Sequence, residues 1–267
     1  MPKERFEFGE NWSKFLGVLS EERIKEAEKS LQNWLGITDL QGKSFLDVGS
    51  GSGLFSLAAK NLGAKVFSFD YDENSVKCAQ YLKSKFYKAD DNWQIERGDA
   101  LNKTYLSQFK NYDVVYSWGV LHHTGNMYKA LDNVSSLVAL QGTLFISIYN
   151  DQGFASKIWK AIKKAYNSAP KSLRNFILFP CFLRLWGPTT VKDFLKGKPF
   201  HTWRTYAKQR GMSPYRDVVD WVGGYPFEVA RPEQIFDFFH KRGFVLEKIS
   251  TCGNGHGCNQ YVFKRER

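Results

Sequence analysis

Asp47, Gly49, Gly51 and Gly53 stand within the run Phe45-Leu46-Asp47-Val48-Gly49-Ser50-Gly51-Ser52-Gly53-Leu54-Phe55-Ser56. Their types and spacing suit one task, bringing backbone N–H groups against a nucleotide-like ligand. An apolar run ends beside an acid, then alternating glycines open an amphipathic segment, the pattern of a buried strand turning tightly into a helix. Glycine accepts the positive φ such a turn needs and has no Cβ to block the ligand, and the helix N-terminus faces it. The dinucleotide fingerprint G-x-G-x-x-G does not fit, because its third glycine falls on Leu54 or on Ser56. The phosphate-loop ending Gly-Lys-Ser/Thr is absent as well. Asp70 follows Gly51 by 19 positions, where a carboxylate accepts hydrogen bonds from both hydroxyls of a ribose. The competing role, capping the next helix, suits Asp72 better.

An acid followed by G-x-G-x-G resembles motif I of the class I S-adenosylmethionine (SAM) methyltransferases. The resemblance implies SAM as cofactor, with Gly49, Ser50, Gly51 and Gly53 against its methionine part and Asp47 nearby. It implies cofactor contacts at Asp70, Tyr71, Ser117 and Trp118, with Asp70 at the ribose, Asp99 at the adenine amino group and Ala100 flanking the ring. As a turn residue before Leu101, Asp99 has a purely local alternative. Tyr116-Ser117-Trp118-Gly119-Val120-Leu121-His122-His123 resembles the ubiquinone and menaquinone biosynthesis type of small-molecule methyltransferase. Leu140-Gln141-Gly142-Thr143-Leu144 is similar to their turn into the fifth strand, with the usual Pro-Gly-Gly reduced to Leu-Gln-Gly. Methyltransferases acting on base amino groups carry an Asn/Asp-Pro-Pro-aromatic motif where this chain has Ser-Trp-Gly, which counts against that chemistry.

The sulfonium methyl is already activated, so the expected reaction is an in-line displacement and the main task is alignment. A hydroxyl acceptor would call for a base, and imidazole is the usual proton acceptor near neutrality. His123 and His256 are the candidates. The His122-His123 pair has a structural hydrogen-bonding role as its alternative. His256 sits in Cys252-Gly253-Asn254-Gly255-His256-Gly257-Cys258-Asn259, read either as a hairpin connection projecting His256 toward substrate or as a plain glycine-rich loop. No metal is expected there, because the spacing is not that of a zinc finger or ribbon and no fourth ligand is evident. Phe8 or Trp12 would cover the cofactor, or else staple the helix that follows.

These residues need a scaffold, and the hydrophobic pattern supplies one. Helices are expected at Glu21–Leu35, Leu54–Leu62, Glu73–Phe86 and Met127–Leu140, and strands at Lys43–Val48, Lys65–Phe69, Trp93–Glu96, Asp113–Tyr116 and Thr143–Tyr149. After about 80 residues without a regular pattern, a helix beginning at Pro232 precedes strands at Phe244–Ile249 and Gln260–Lys264. Alternating strands and helices imply an α/β fold, a Rossmann-like seven-stranded mainly parallel sheet with helices on both faces and a helical insertion after strand five. The expected divisions are 1–40 as an N-terminal cap segment and leading helix, 41–150 as the SAM-binding core, 151–230 as a helical substrate lid, and 231–267 completing the sheet.

Hydrophobic content of 43% supports a real core, and Met1 to Glu10 does not read as a secretion signal. Four cysteines make no dense framework, so a soluble, cytoplasmic protein is expected. The net charge of +11 is concentrated, with 14 Lys/Arg against five Asp/Glu between Asp151 and Ala230. That balance points to an anionic partner or to simple solubility. On a helical wheel Phe154, Ile158, Trp159, Ile162, Ala165 and Tyr166 share one arc, and Lys157, Lys160, Lys163 and Lys164 the other. Such a helix lies on an anionic membrane surface or caps the core. The expected acceptor is small or lipid-like, methylated on a hydroxyl or on carbon. The alternatives are an RNA methyltransferase using the basic insertion, for which no RNA-binding module is visible, and a non-catalytic SAM-binding protein.

Overall fold

The computed structural model describes residues 19–88, 90–109, 111–210 and 213–267, with the side chains of 207–210 left aside. Phe8 and Trp12 lie outside the described residues. In chain order the elements of the sheet are α1 (Glu21–Leu35), β1 (Ser44–Val48), α2 (Leu54–Asn61), β2 (Lys65–Asp70), α3 (Glu73–Phe86), β3 (Trp93–Arg97), α4 (Lys103–Leu106), β4 (Tyr112–Trp118), α5 (Met127–Ser135) and β5 (Val138–Tyr149). A 3-10 turn, Leu121–His123, follows β4. The chain then forms helices α6 (Phe154–Ser168), α7 (Arg174–Leu195), α8 (His201–Arg210) and α9 (Pro214–Gly223), and ends with α10 (Pro232–His240), β6 (Phe244–Ser250) and β7 (Cys258–Arg265). Two compact units result, the sheet and, separately, the helices within Gly153–Phe227.

The sheet runs β3-β2-β1-β4-β5-β7-β6. Its first five strands are parallel, and β7 is antiparallel to both β5 and β6. Period-two alternation divides the strands between two apolar layers. Leu46, Val48, Phe67, Phe69, Val115 and Ile146 pack against α5 and α10. Phe45, Val66, Trp93, Val114, Tyr116 and Phe145 face α1, α2 and α3. Local signals hold at the ends: the Ser20 hydroxyl accepts from the Arg23 N–H to cap α1, and the Asp72 carboxylate accepts from Asn74 to cap α3.

The boundary between α5 and β5 differs most from the pattern reading. The helix expected to reach Leu140 stops at Ser135, and Val138 already pairs with Tyr112 of β4. The register then shifts before Thr143 pairs with Val114, and Gln141 within that stretch takes φ 61°. Gly142 follows it with no room for a Cβ, which would come 2.8 Å from the Ala139 carbonyl oxygen and 2.9 Å from that of Tyr112. Apolar residues of a short extended segment had extended the helical periodicity past its true end.

Among the described residues the stretch without a regular pattern forms the four helices α6 to α9, with the 3-10 turn Lys171–Leu173 between α6 and α7. Its interior is aromatic: Trp159 meets Trp221 edge-on at 5.6 Å, and Trp186 meets Trp203 at 5.2 Å and Tyr206 at 4.8 Å. Trp203 donates its indole N–H to the Thr190 hydroxyl. Asp193 caps α8 through the backbone N–H and hydroxyl of Thr202, both at 2.7 Å.

The wheel reading of α6 is corrected. Its buried side is Ser156, Trp159, Lys163 and Tyr166, while Phe154 and Ile158 face outward. The large rings of Trp159 and Tyr166 take the inner face, and Lys163 lies between them in helical order. Its amine donates to the Trp221 carbonyl and sits 4.2 Å from the Trp221 ring centre and 4.8 Å from that of Phe227. Burial pushes the Lys163 amine down to about 7.

Candidate active site

In an open α/β sheet, ligands bind beyond the carboxyl ends of the strands, at the point where strand order reverses. Here that point lies between β1 and β4. The turn after β1 is built for close approach. Gly49, Gly51 and Gly53 take φ of 78°, 55° and 80°. A Cβ on Gly49 would strike Val120 at 2.4 Å, and one on Gly53 would strike Ala79 at 2.8 Å. The N–H groups of Gly49 and Ser50 both donate to the Phe69 carbonyl, at 2.8 and 3.2 Å, which holds the turn on β2. Gly51 donates its N–H to Asp70 Oδ2 at 2.9 Å, and Asp72 donates to Oδ1 at 2.9 Å. Asp70 therefore braces the turn against the start of the next helix.

The neighbouring strand ends bring the other expected residues to the same edge. Gly98 donates to the Asp70 carbonyl at 2.9 Å, setting Asp99 beside it. Asp99 Oδ1 accepts from Leu101 at 2.8 Å, so its turn role is real and its other oxygen is not spent on that bond. Ala100 is buried and its carbonyl accepts from Asn133. The Tyr71 carbonyl accepts from Arg97, whose guanidinium lies 5.8 Å from the Tyr71 ring centre. Ser117 donates its hydroxyl to the Val48 carbonyl at 2.9 Å, tying β4 to the start of the turn. Trp118 is about half exposed and donates its indole N–H to Gln260 Oε1 at 3.1 Å.

Asp47 alternates inward with Phe45, beneath α2. Ser56 donates its hydroxyl to Asp47 Oδ2 at 2.5 Å, Ser68 lies 2.8 Å from Ser56, and Trp93 donates its indole N–H to Ser68. Because the Ser56 proton goes to Asp47, the Ser68 proton goes to Ser56, and the chain runs one way from Trp93 to Asp47. Burial, opposed by the Ser56 bond and reinforced by the negative charge of Asp70, pushes the Asp47 carboxyl up to about 7.

The two candidate bases stand in different surroundings. His123 is 5% exposed, and its ring meets Tyr149 edge-on at 5.3 Å. His122 is fully buried, 4.0 Å from the Tyr149 ring centre, and its carbonyl accepts from the Glu228 N–H. Glu228 in turn accepts from the Met127 N–H at the start of α5. His256 is exposed on the β6–β7 connection. That connection is held at the β5 end: Asn150 donates its side chain to the Gly253 carbonyl, Gln152 to that of Asn254, and the Asn150 N–H to that of Gly257. Asn150, Asn259 and Glu228 are the positioning residues that sequence reasoning missed. None was assigned a role, although Asn259 closes the glycine-rich stretch around His256 and Asn150 directly follows a strand. Among the described residues no group of three or more His, Cys, Asp or Glu is arranged to hold a metal ion.

The geometry is a glycine turn braced by an acid at the switch point of a seven-stranded sheet, and the family model described as a methyltransferase domain matches residues 39–207. The chain belongs to the methyltransferase-domain family. It is a class I, SAM-dependent methyltransferase. The methyltransferase is 26% identical over 175 residues to the ubiquinone biosynthesis O-methyltransferase of Coxiella burnetii, covering 64% of this chain and 69% of that protein. It is 50% identical over 116 residues to the ribosomal protein L11 methyltransferase of Helicobacter hepaticus, covering 43% of this chain but only 34% of that protein. Its fold matches the crystal structure of magnesium protoporphyrin IX methyltransferase from Synechocystis PCC 6803 with bound SAH, at a TM-score of 0.52 and 17% identity over 91% of this chain and 83% of that one.

Proposed function

We propose that this methyltransferase acts on a small or lipid-like acceptor, most favourably a hydroxyl oxygen. The observation that carries the reading is the bond from the Gly51 N–H to Asp70 Oδ2, which couples the glycine turn to the ribose acid at the strand-order switch. The residues present fit SAM. The turn has room only for glycine at Gly49 and Gly53, and the buried Ser50 hydroxyl has no hydrogen-bond partner among the described residues. When bound, SAM supplies a methyl group already activated on a sulfonium.

Gly49, Ser50, Gly51 and Gly53 would hold its methionine part, Asp70 and Tyr71 its ribose, and Asp99 its adenine amino group. Ala100, Trp118 and Ser117 would border the ring and the methyl-transfer mouth. Asp47 would act from beneath, through Ser56 and α2. His256 or His123 would take the proton of a hydroxyl acceptor. The Ser-Trp-Gly sequence after β4 and the similarity to a ubiquinone biosynthesis O-methyltransferase support a small acceptor. The helical unit is the part proposed to choose it. A protein acceptor is the second reading, favoured by the segment shared with the ribosomal protein L11 methyltransferase.

The test is SAM carrying a labelled methyl group, incubated with the protein and whole extract of its source, then fractionated. Label in the organic-soluble or small aqueous pool is expected. Label in protein would establish the second reading, and label in RNA would overturn both. Tight SAM binding without label in any pool would make the chain a non-catalytic SAM-binding protein.

A further inference from the structure

The outward side of the helical unit is left unexplained by the reaction. Along α7, Phe176, Phe179, Leu183, Val191 and Phe194 recur at spacings that place them on one helical face. All five are more than half exposed, Phe176 by 77%. The opposite side of α7 is already packed, with Leu178, Cys181, Trp186 and Asp193 buried. The stripe is therefore a second apolar face. On α6 the outward side carries Phe154, 76% exposed, and Ile158 among Lys157, Lys160 and Lys164. Apolar side chains gathered in this way mark a contact surface.

Charge selects the occupant. From Phe154 to Lys198 the chain has ten Lys/Arg and a single acid, Asp193. That carboxylate is buried in the cap of α8. The solvent side of α6 and α7 thus carries no negative charge. A second copy of the chain would set cation against cation. A nucleic acid would satisfy the lysines but give no apolar partner to Ile158, Leu183 and Val191, and Trp186, Trp203 and Tyr206 are packed on one another. The boundary of an anionic bilayer satisfies both sets, taking apolar side chains at the acyl level and lysines at the headgroups. We propose that the outward face of α6 and α7 docks on an anionic lipid bilayer, lying in the interface. No described helix is long and apolar enough to cross a membrane.

The experiment is flotation of the full chain with vesicles of phosphatidylcholine alone and of phosphatidylcholine mixed with phosphatidylglycerol, at low and high salt. Binding to the mixed vesicles that weakens with salt is expected. A Phe176→Ser/Phe179→Ser double variant should lose at least about tenfold in that binding, with an unchanged circular dichroism spectrum and melting temperature, since both side chains are exposed. Any one of four results would overturn the proposal: no binding to mixed vesicles, equal binding to neutral ones, undiminished binding of the variant, or a solution dimer that the variant dissociates. The readout needs neither cofactor nor acceptor, so it stands or falls separately from the methyl-transfer reading.

Discussion

Asn259 donates its side-chain amide to the side-chain oxygen of Asn150 at 3.0 Å, joining two buried groups that stand 109 positions apart. The same two side chains also hold one loop. Asn150 donates to the Gly253 carbonyl, and Asn259 Oδ1 accepts from the Cys252 N–H. A glycine-rich connection that would otherwise sample many conformations is thereby pinned to the end of β5, and His256 with it.

Asn259→Ala should release the loop. We expect labelled-methyl incorporation to fall at least several-fold while SAM affinity in a calorimetric titration changes less than twofold. Asn150→Ala should do the same, with a stability loss of about 1–3 kcal/mol from the buried groups left unpaired. Loss of SAM affinity in step with activity would show that the pair serves the cofactor side instead.

Asp70→Ala removes the acceptor for the Gly51 N–H and the proposed ribose ligand. A charge-assisted bond contributes roughly 1.5–3 kcal/mol, so SAM dissociation constants should rise by about 10- to 100-fold with the circular dichroism spectrum retained. Asp70→Asn, which keeps one acceptor, should fall between. Unchanged affinity would remove Asp70 from the site.

Asp47 gives a stability signature. Its carboxyl titrates near 7 when folded against 3.8 as the ordinary value. Between those values the folded chain holds a proton that the unfolded chain has released, so this group's contribution to stability falls as pH rises through that window and is level above it. Asp47→Asn removes the effect. Urea unfolding of both proteins at a series of pH values should show the variant gaining on the wild type across the window, by up to a few kcal/mol. A pH-independent difference would mean that the carboxyl is not desolvated in solution.

Lys163 has the opposite sign. Its amine titrates near 7 when folded against 10.5 ordinarily, and burial dominates over the nearby Cys181 thiol. Between those values the unfolded chain binds more protons, so this group's contribution rises with pH and is at its lowest below 7. The stability difference of Lys163→Met relative to wild type should be most favourable to the variant below pH 7 and shrink toward pH 10. Cys181→Ala as a common background removes the neighbouring thiol from the comparison.

The glycine turn shows why the strand-to-helix geometry after β1 was legible in the sequence. Gly49, Gly51 and Gly53 lie within five residues of one another and respond to local demands, a positive φ and the absence of a Cβ. Asp70 is only one strand further on, at a spacing set by a helix and a return strand. The strand alternation that divides Phe45 and Asp47 from Leu46 and Val48 is equally local. Lys163 shows where local reasoning ends. Its position on a helical wheel gave it to solvent, and the choice was made by Trp221 of α9 and Phe227 after it, whose rings flank the Lys163 amine.

The sequence by itself determined the order of strands and helices in the sheet, the glycine turn and the acid that braces it, and the excess of positive charge after the fifth strand. Each depends on backbone geometry or side-chain periodicity over at most about 20 residues. Tertiary structure alone decided that Asn150 meets Asn259, that Glu228 closes onto His122 and α5, and that α7 keeps an apolar face outside. Those contacts join residues with no common periodicity, and a buried amide finds its partner only once the sheet has brought the two ends together.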